Sequence, residues 1–341
     1  MRGLMLVLVM LGLVGCGAQA VAPVATQTVG TRQAITVGLG YIPDVQFAPF
    51  YVALQKGYYR EAGFDVTFVN GQAPELLAQN AAGTMPFILV SGDEILSARI
   101  QGIPVKMVWQ LYQRFPVVAF SKQATGITTP AQLKGQVIGV PGRYGATYFG
   151  LLALLQSAGL TENDVTIREI GFNQLQAVTQ GSVPVAMGYS NNEPVRMQAA
   201  GEAVNVLDVG AAVPLVSNGL SVTEEYARTN ADVISRFLAA TTRGLQSAID
   251  DPEDAFQQAL KMEDLRTLQT NTASHPIQRQ VLAATLAVCR TPATDTFGLG
   301  HQDPQAWLAT YTFLRRANFL TRDTDPMQAF TNDFIVPPAA K

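Results

Sequence analysis

Between residues 34 and 209, short apolar runs alternate with stretches whose apolar residues recur at helical spacing. The short runs predict strands: AITVGLG (34–40), FDVTFV (64–69), MPFILV (85–90), PVKMVWQLY (104–112), FPVVAFS (115–121), QVIGVPG (136–142), DVTIREIG (164–171), VPVAMGY (183–189) and AVNVLDV (203–209). Helices fill the intervals. Phe47, Phe50, Tyr51, Leu54 and Tyr58 fall on one helical face, with Pro49 tolerated in a first turn. Gly83 and Gly102 close two helices, and Ser91 or Asp93 opens one. Thr129 followed by Pro130 marks another start. From about Asn218 the pattern becomes largely helical, through 231–252, 253–261, 277–291 and 303–320.

Strand–helix alternation of this kind implies an α/β protein, with mainly parallel sheets flanked by helices. Two such units precede the helical tail, so the chain predicts two lobes and a cleft. The boundaries are read as 34–121 for the first lobe, 122–216 for the second, and 217–341 for the return and the C-terminal helices. Strands near 116–121 and 213–221 are expected to connect the lobes, and the tail to pack on the first.

With 341 residues, 48% hydrophobic and 14% charged, the chain can bury a large core and carries no long solvated tract. Lys and Arg (23) nearly balance Asp and Glu (26), which argues against a nucleic-acid partner. No metal-ligand spacing, Cys–His pair or G-x-S-x-G motif occurs, and the only histidines, His275 and His301, lie in the tail. No enzyme activity, cofactor or metal is expected, and a monomer is.

The N-terminus changes the setting. Arg2 precedes an apolar run from Leu4 to Val14, too short to span a bilayer but suited to a leader core. Leu13-Val14-Gly15-Cys16 resembles the bacterial lipobox, which implies cleavage after residue 15, lipidation of Cys16, and a soluble body held at the outer face of a membrane. Residues 16–33 then read as a small-residue, polar tether. Cys289, in the apolar helical run VLAATLAVCRT, reads as a buried thiol.

Several stretches together carry a family: YIPDVQFAPFYVALQKGYYREAGFDV, SARIQGIPVKMV, GITTPAQLKGQVIGV, GLTENDVTIREIG and NADVISRFLAATTRGLQSAIDDPEDA. They resemble the solute-binding proteins of ABC importers in the NMT1/THI5-like branch, over roughly residues 35–335. The resemblance implies a two-lobed periplasmic-binding-protein fold, a permease and ATPase as partners, and a small vitamin-like ligand. Members that bind thiamin pyrimidine precursors carry Asp-Trp-x-Pro-Asn after the first strand, where this chain has Gly40-Tyr41-Ile42-Pro43-Asp44. They also carry a tryptophan where this chain reads YSNNEP (189–194). GYIPDVQFAPFYVA, YQRFPV and NNEP are instead similar to riboflavin-binding members, so riboflavin is the expected ligand and a formylaminopyrimidine-type precursor the alternative.

In α/β sheets of this kind, ligands bind beyond the carboxyl ends of the strands. That rule selects five turns. The first holds Tyr41, Asp44 and Phe47, with Tyr41 able to stack on a flat ring. The second holds Ser91 and Asp93, which serve equally as helix caps. Trp109, Tyr112 and Arg114 leave the strand in the third, Trp109 being equally a core residue. The fourth, PGRYGATY, offers Tyr144 and Thr147 beside glycines that allow close backbone approach. The fifth offers Tyr189, Asn191 and Asn192; the asparagines supply both donors and acceptors, or cap a helix. Such a cleft is aromatic and amide-rich, with only Arg114 and Arg143 nearby as cations. It suits a neutral, flat, hydroxylated ligand.

Overall fold

The continuous apolar run Phe87–Val90 is buried along its whole length, as expected of a strand covered on both faces. By contrast Phe64–Asn70, after the buried Phe64, alternates exposed and partly buried positions, as a sheet edge does. The computed structural model, which describes residues 31–338, places both in one five-stranded sheet. Strands are numbered in chain order: β1 Gln33–Leu39, β2 Phe64–Asn70, β3 Phe87–Val90, β4 Val105–Gln110, β5 Val117–Lys122, β6 Val137–Val140, β7 Thr166–Glu169, β8 Val185–Tyr189, β9 Val204–Asp208 and β10 Gly219–Thr223. The first sheet has the order β2-β1-β3-β10-β4 and the second β7-β6-β8-β5-β9.

Each sheet is mainly parallel with one antiparallel member. β10 runs antiparallel between β3 and β4, and β5 runs antiparallel between β8 and β9. β5 therefore belongs wholly to the second sheet. The chain crosses between lobes before it, in 111–116, and not within it as the sequence suggested, and crosses back in 209–218. The fold is the two-lobed α/β arrangement expected.

The rings at the first strand-to-helix turn are mostly core. Phe50 packs edge to face on Trp109, 6.2 Å between centroids, and on Phe68 at 6.1 Å. Tyr59 and Phe87 both stack on Phe237, at 4.9 and 4.1 Å. Phe237 lies on the long amphipathic helix Ala231–Asp250, whose apolar face covers the helix Ala48–Gln55. At their crossing, a Cβ on Gly244 would stand 2.7 Å from that of Ala53, so only glycine permits this approach. Helices of the tail thus complete the first lobe. Cys289 is buried there, its thiol donating to the Thr285 carbonyl at 3.2 Å. Cys16 and the proposed leader lie outside the described residues.

Candidate functional site

Strand ends from both sheets converge on a cavity between the lobes. Its aromatic wall consists of Tyr41, Phe47, Tyr112, Tyr144, Phe172 and Tyr189. Its polar lining comprises the amides of Gln46, Gln174, Asn192 and Asn218, with Thr147 and the carboxylates of Glu94 and Glu193. Among the described residues no lysine or arginine lines it.

Local structure explains these placements. Asp44 caps the short turn Val45–Phe47, accepting from the Gln46 amide at 3.1 Å, and so turns Gln46 and Phe47 into the cleft. Ser91 and Glu94 form a capping box at the start of the helix Gly92–Ile100: Glu94 Oε2 accepts from the Ser91 amide and hydroxyl, both at 2.9 Å. Gly145, at φ +71°, opens the helix Gly145–Ser157 of the other lobe. A Cβ there would stand 2.7 Å from Glu94 Oε1, so the glycine lets the two lobes meet at this carboxylate. Glu193, at the start of the helix Glu193–Ala199, accepts from the Tyr189 amide at 2.9 Å.

Four hydrogen bonds and one ion pair tie the lobes together around the cavity. Tyr144 donates to Gln72 Oε1 at 2.9 Å, and Tyr189 to Asn218 Oδ1 at 3.0 Å. Asn191 donates to the Thr285 hydroxyl at 2.9 Å. Arg196 Nη2 donates to Asp44 Oδ2 at 2.6 Å and to Gln278 Oε1 at 3.1 Å. Tyr41 meets Phe172 edge to face at 5.0 Å.

The walls are electrostatically unusual. Burial pushes the Glu193 carboxyl up to about 7. Burial also raises the Glu94 carboxyl, and burial with the neighbouring Glu94 charge raises Asp93 well above the ordinary range. Burial raises the Tyr41, Tyr112 and Tyr189 hydroxyls as well, so these remain protonated donors at neutral pH. The cavity therefore offers stacking faces, mixed amide donors and acceptors, and acceptor carboxylates.

Of the residues selected by sequence, Tyr41, Phe47, Tyr112, Tyr144, Thr147, Tyr189 and Asn192 line the cavity. The others do not. Trp109 is fully buried in the first lobe, its indole donating to Thr242 at 3.0 Å. Arg114 turns to the tail and donates to the Ala287 carbonyl. Ser91 is a cap, as its alternative reading held, and Asp93 is buried with neither carboxylate oxygen paired. Asn191 is buried in the contact with Thr285, and Asp44 acts as cap and as partner of Arg196. Arg143 pairs with Glu162 at 2.6 Å.

Sequence reasoning missed Gln46, Glu94, Phe172, Gln174, Glu193 and Asn218. The Ser-x-x-Glu spacing of 91–94 does signal a capping box. Phe172 and Gln174 follow β7, a sixth strand end to which the same rule applies. Asn218 precedes β10, whose antiparallel direction brings its amino end to the cleft; the sequence did not reveal that direction.

A two-lobed α/β body with a ring-lined cavity between its lobes is the architecture of a solute-binding protein. The chain belongs to the NMT1/THI5-like family, whose model matches residues 44–255. Over 310 residues it is 41% identical to the riboflavin-binding protein RibY of Chloroflexus aurantiacus, covering 89% of this chain and 87% of that protein. A formylaminopyrimidine-binding protein of Halalkalibacterium halodurans is 24% identical, covering 88% of this chain and 90% of its own. The family also contains enzymes: a 4-amino-5-hydroxymethyl-2-methylpyrimidine phosphate synthase of Legionella pneumophila is 21% identical over 89% of this chain and 93% of its own. Among solved structures, the periplasmic aliphatic sulphonate binding protein SsuA of Escherichia coli superposes with a TM-score of 0.68 at 16% identity, covering 91% of this chain and 94% of that one.

Proposed function

We propose that the protein is the extracytoplasmic riboflavin-binding component of an ABC importer. The observation that carries this is the composition of the cavity: six rings and four amides with no cationic side chain among the described residues. Rings on both lobes suit a flat heterocycle held between them, and stacking supplies area and orientation together. Amides match a uracil-like ring edge, which presents donors and acceptors in alternation. The carboxyl oxygens of buried Glu94 and Glu193 accept from ligand N–H or O–H groups. The relative named as a riboflavin-binding protein supports the same choice.

Ligand contacts to both lobes are complete only when the lobes are closed, so binding shifts the population toward the closed form. That form then docks on a membrane permease driven by its ATPase. Acylated Cys16 and the tether 16–33 keep the body at the membrane after removal of residues 1–15. The lobes divide as 34 to about 112 with 218–338, and about 113–217. No chemical step is required of the site.

Titrating riboflavin into the purified chain, with flavin fluorescence as readout, tests the reading. Saturable quenching is expected below about micromolar concentration, with affinity falling roughly tenfold or more in Tyr41→Ala or Tyr144→Ala. Absence of quenching, together with a calorimetric signal from formylaminopyrimidine, would replace the flavin by the pyrimidine.

A further inference from the structure

At Tyr41 and Phe172 the cavity adjoins a wider groove. This groove runs between the helices Gln174–Thr179 and Glu193–Ala199 of the second lobe and residues 264–278 of the first. Five residues line both spaces: Tyr41, Phe172, Gln174, Asn192 and Glu193. They form a throat, narrowed by the edge-to-face contact of the two rings at 5.0 Å.

Gln174 is the distinctive member of the throat. It is 3% exposed, and its Oε1 is buried without a hydrogen-bond partner. A buried acceptor left unpaired is costly, and a ligand O–H at this point removes the cost. Beyond the throat, Asn173, Gln176, Asn271 and Ser274 supply polar groups among apolar residues such as Leu175, Leu265 and Leu268. Arg196 is the one basic side chain among the described residues lining the groove; its Nε donates to Asn192 and its Nη2 to Asp44 and Gln278. Asp44, Glu193, Glu202 and Asp264 face the same space, so its fixed charge is negative.

We infer that the throat and groove are a second subsite, which takes a neutral polyhydroxylated chain carried by the ring in the cavity. Gln174 Oε1 accepts from a hydroxyl of that chain. The acidic lining, in which Arg196 is paired with Asp44, disfavours a chain ending in phosphate. This rests on the flavin reading of the cavity, and assigns the ribityl chain to a defined place.

Three ligands separate the two ideas: riboflavin, lumiflavin (the same ring with a methyl in place of the chain) and riboflavin 5′-phosphate. Each is titrated into the purified chain and into Gln174→Leu. Riboflavin is expected to bind at least about tenfold more tightly than either of the others, and Gln174→Leu to narrow its advantage over lumiflavin by about five- to tenfold. Equal affinities for riboflavin and lumiflavin would overturn the chain subsite while leaving the flavin reading intact. So would an equal loss of both in Gln174→Leu. Tighter binding of the phosphate would overturn the exclusion of anions. Failure of all three flavins to bind would overturn the flavin reading and this inference with it.

Discussion

Glu193 sets the proton balance of the cleft. Its carboxyl is buried between the Tyr189 amide and the space beside Asp44 and Arg196, and burial lifts its pKa from 4.5 to about 7. The folded protein therefore holds a proton that the unfolded chain releases between those values. The contribution to stability is present in full below pH 4.5 and is lost as pH rises through about 7. For this one group it amounts to about 3 kcal/mol at most. Melting temperature is accordingly expected to fall between pH 5 and pH 8, and Glu193→Gln to flatten that fall. Because burial raises Asp93 and Glu94 in the same direction, part of the slope survives in the variant. A melting temperature that rises over this range would contradict the assignment. The neighbouring asparagines show why side-chain roles were only half legible in YSNNEP. Asn192 reaches the cavity while Asn191, one residue earlier, is spent on Thr285 of the tail. Nothing in the local sequence says which of two adjacent amides meets a helix 94 residues away.

Arg196 stands one helical turn beyond Asn192 on the helix Glu193–Ala199, which directs it across the cleft to Asp44 and Gln278. Both members of the ion pair are largely shielded from water, so removing one leaves the other's charge buried and unpaired, at a larger cost than on an open surface. Its members stand on opposite lobes, so opening of the lobes separates them. Arg196→Met is expected to favour the open form, seen as a larger radius of gyration in solution scattering and as riboflavin affinity lowered by at least about tenfold. Unchanged scattering and affinity would remove the pair from the closure equilibrium. At this scale the sequence was informative. Strand-forming runs, the first-turn prolines and the cap at Ser91 all appear where hydrophobic period and cap chemistry placed them. What it did not show was strand direction. β5 and β10 look like their parallel neighbours, because strands covered on both faces read as apolar runs whichever way they point.

For the molecule as a whole, the order of pairing has a consequence in time. β10 lies between β3 and β4, yet it is separated from them in the chain by the whole second lobe. The second sheet, by contrast, is built from one uninterrupted stretch, β5 to β9. Contacts between distant residues are slow to form because a long loop must close first. In refolding, amides of β6 and β8 should therefore gain protection from hydrogen exchange before those of β3 and β4, as pulsed labelling can measure; simultaneous protection would refute this order. A chain built this way cannot complete its first sheet until β10, Gly219–Thr223, has been synthesised. On the proposed extracytoplasmic reading, that delay leaves the nascent polypeptide threadable for export.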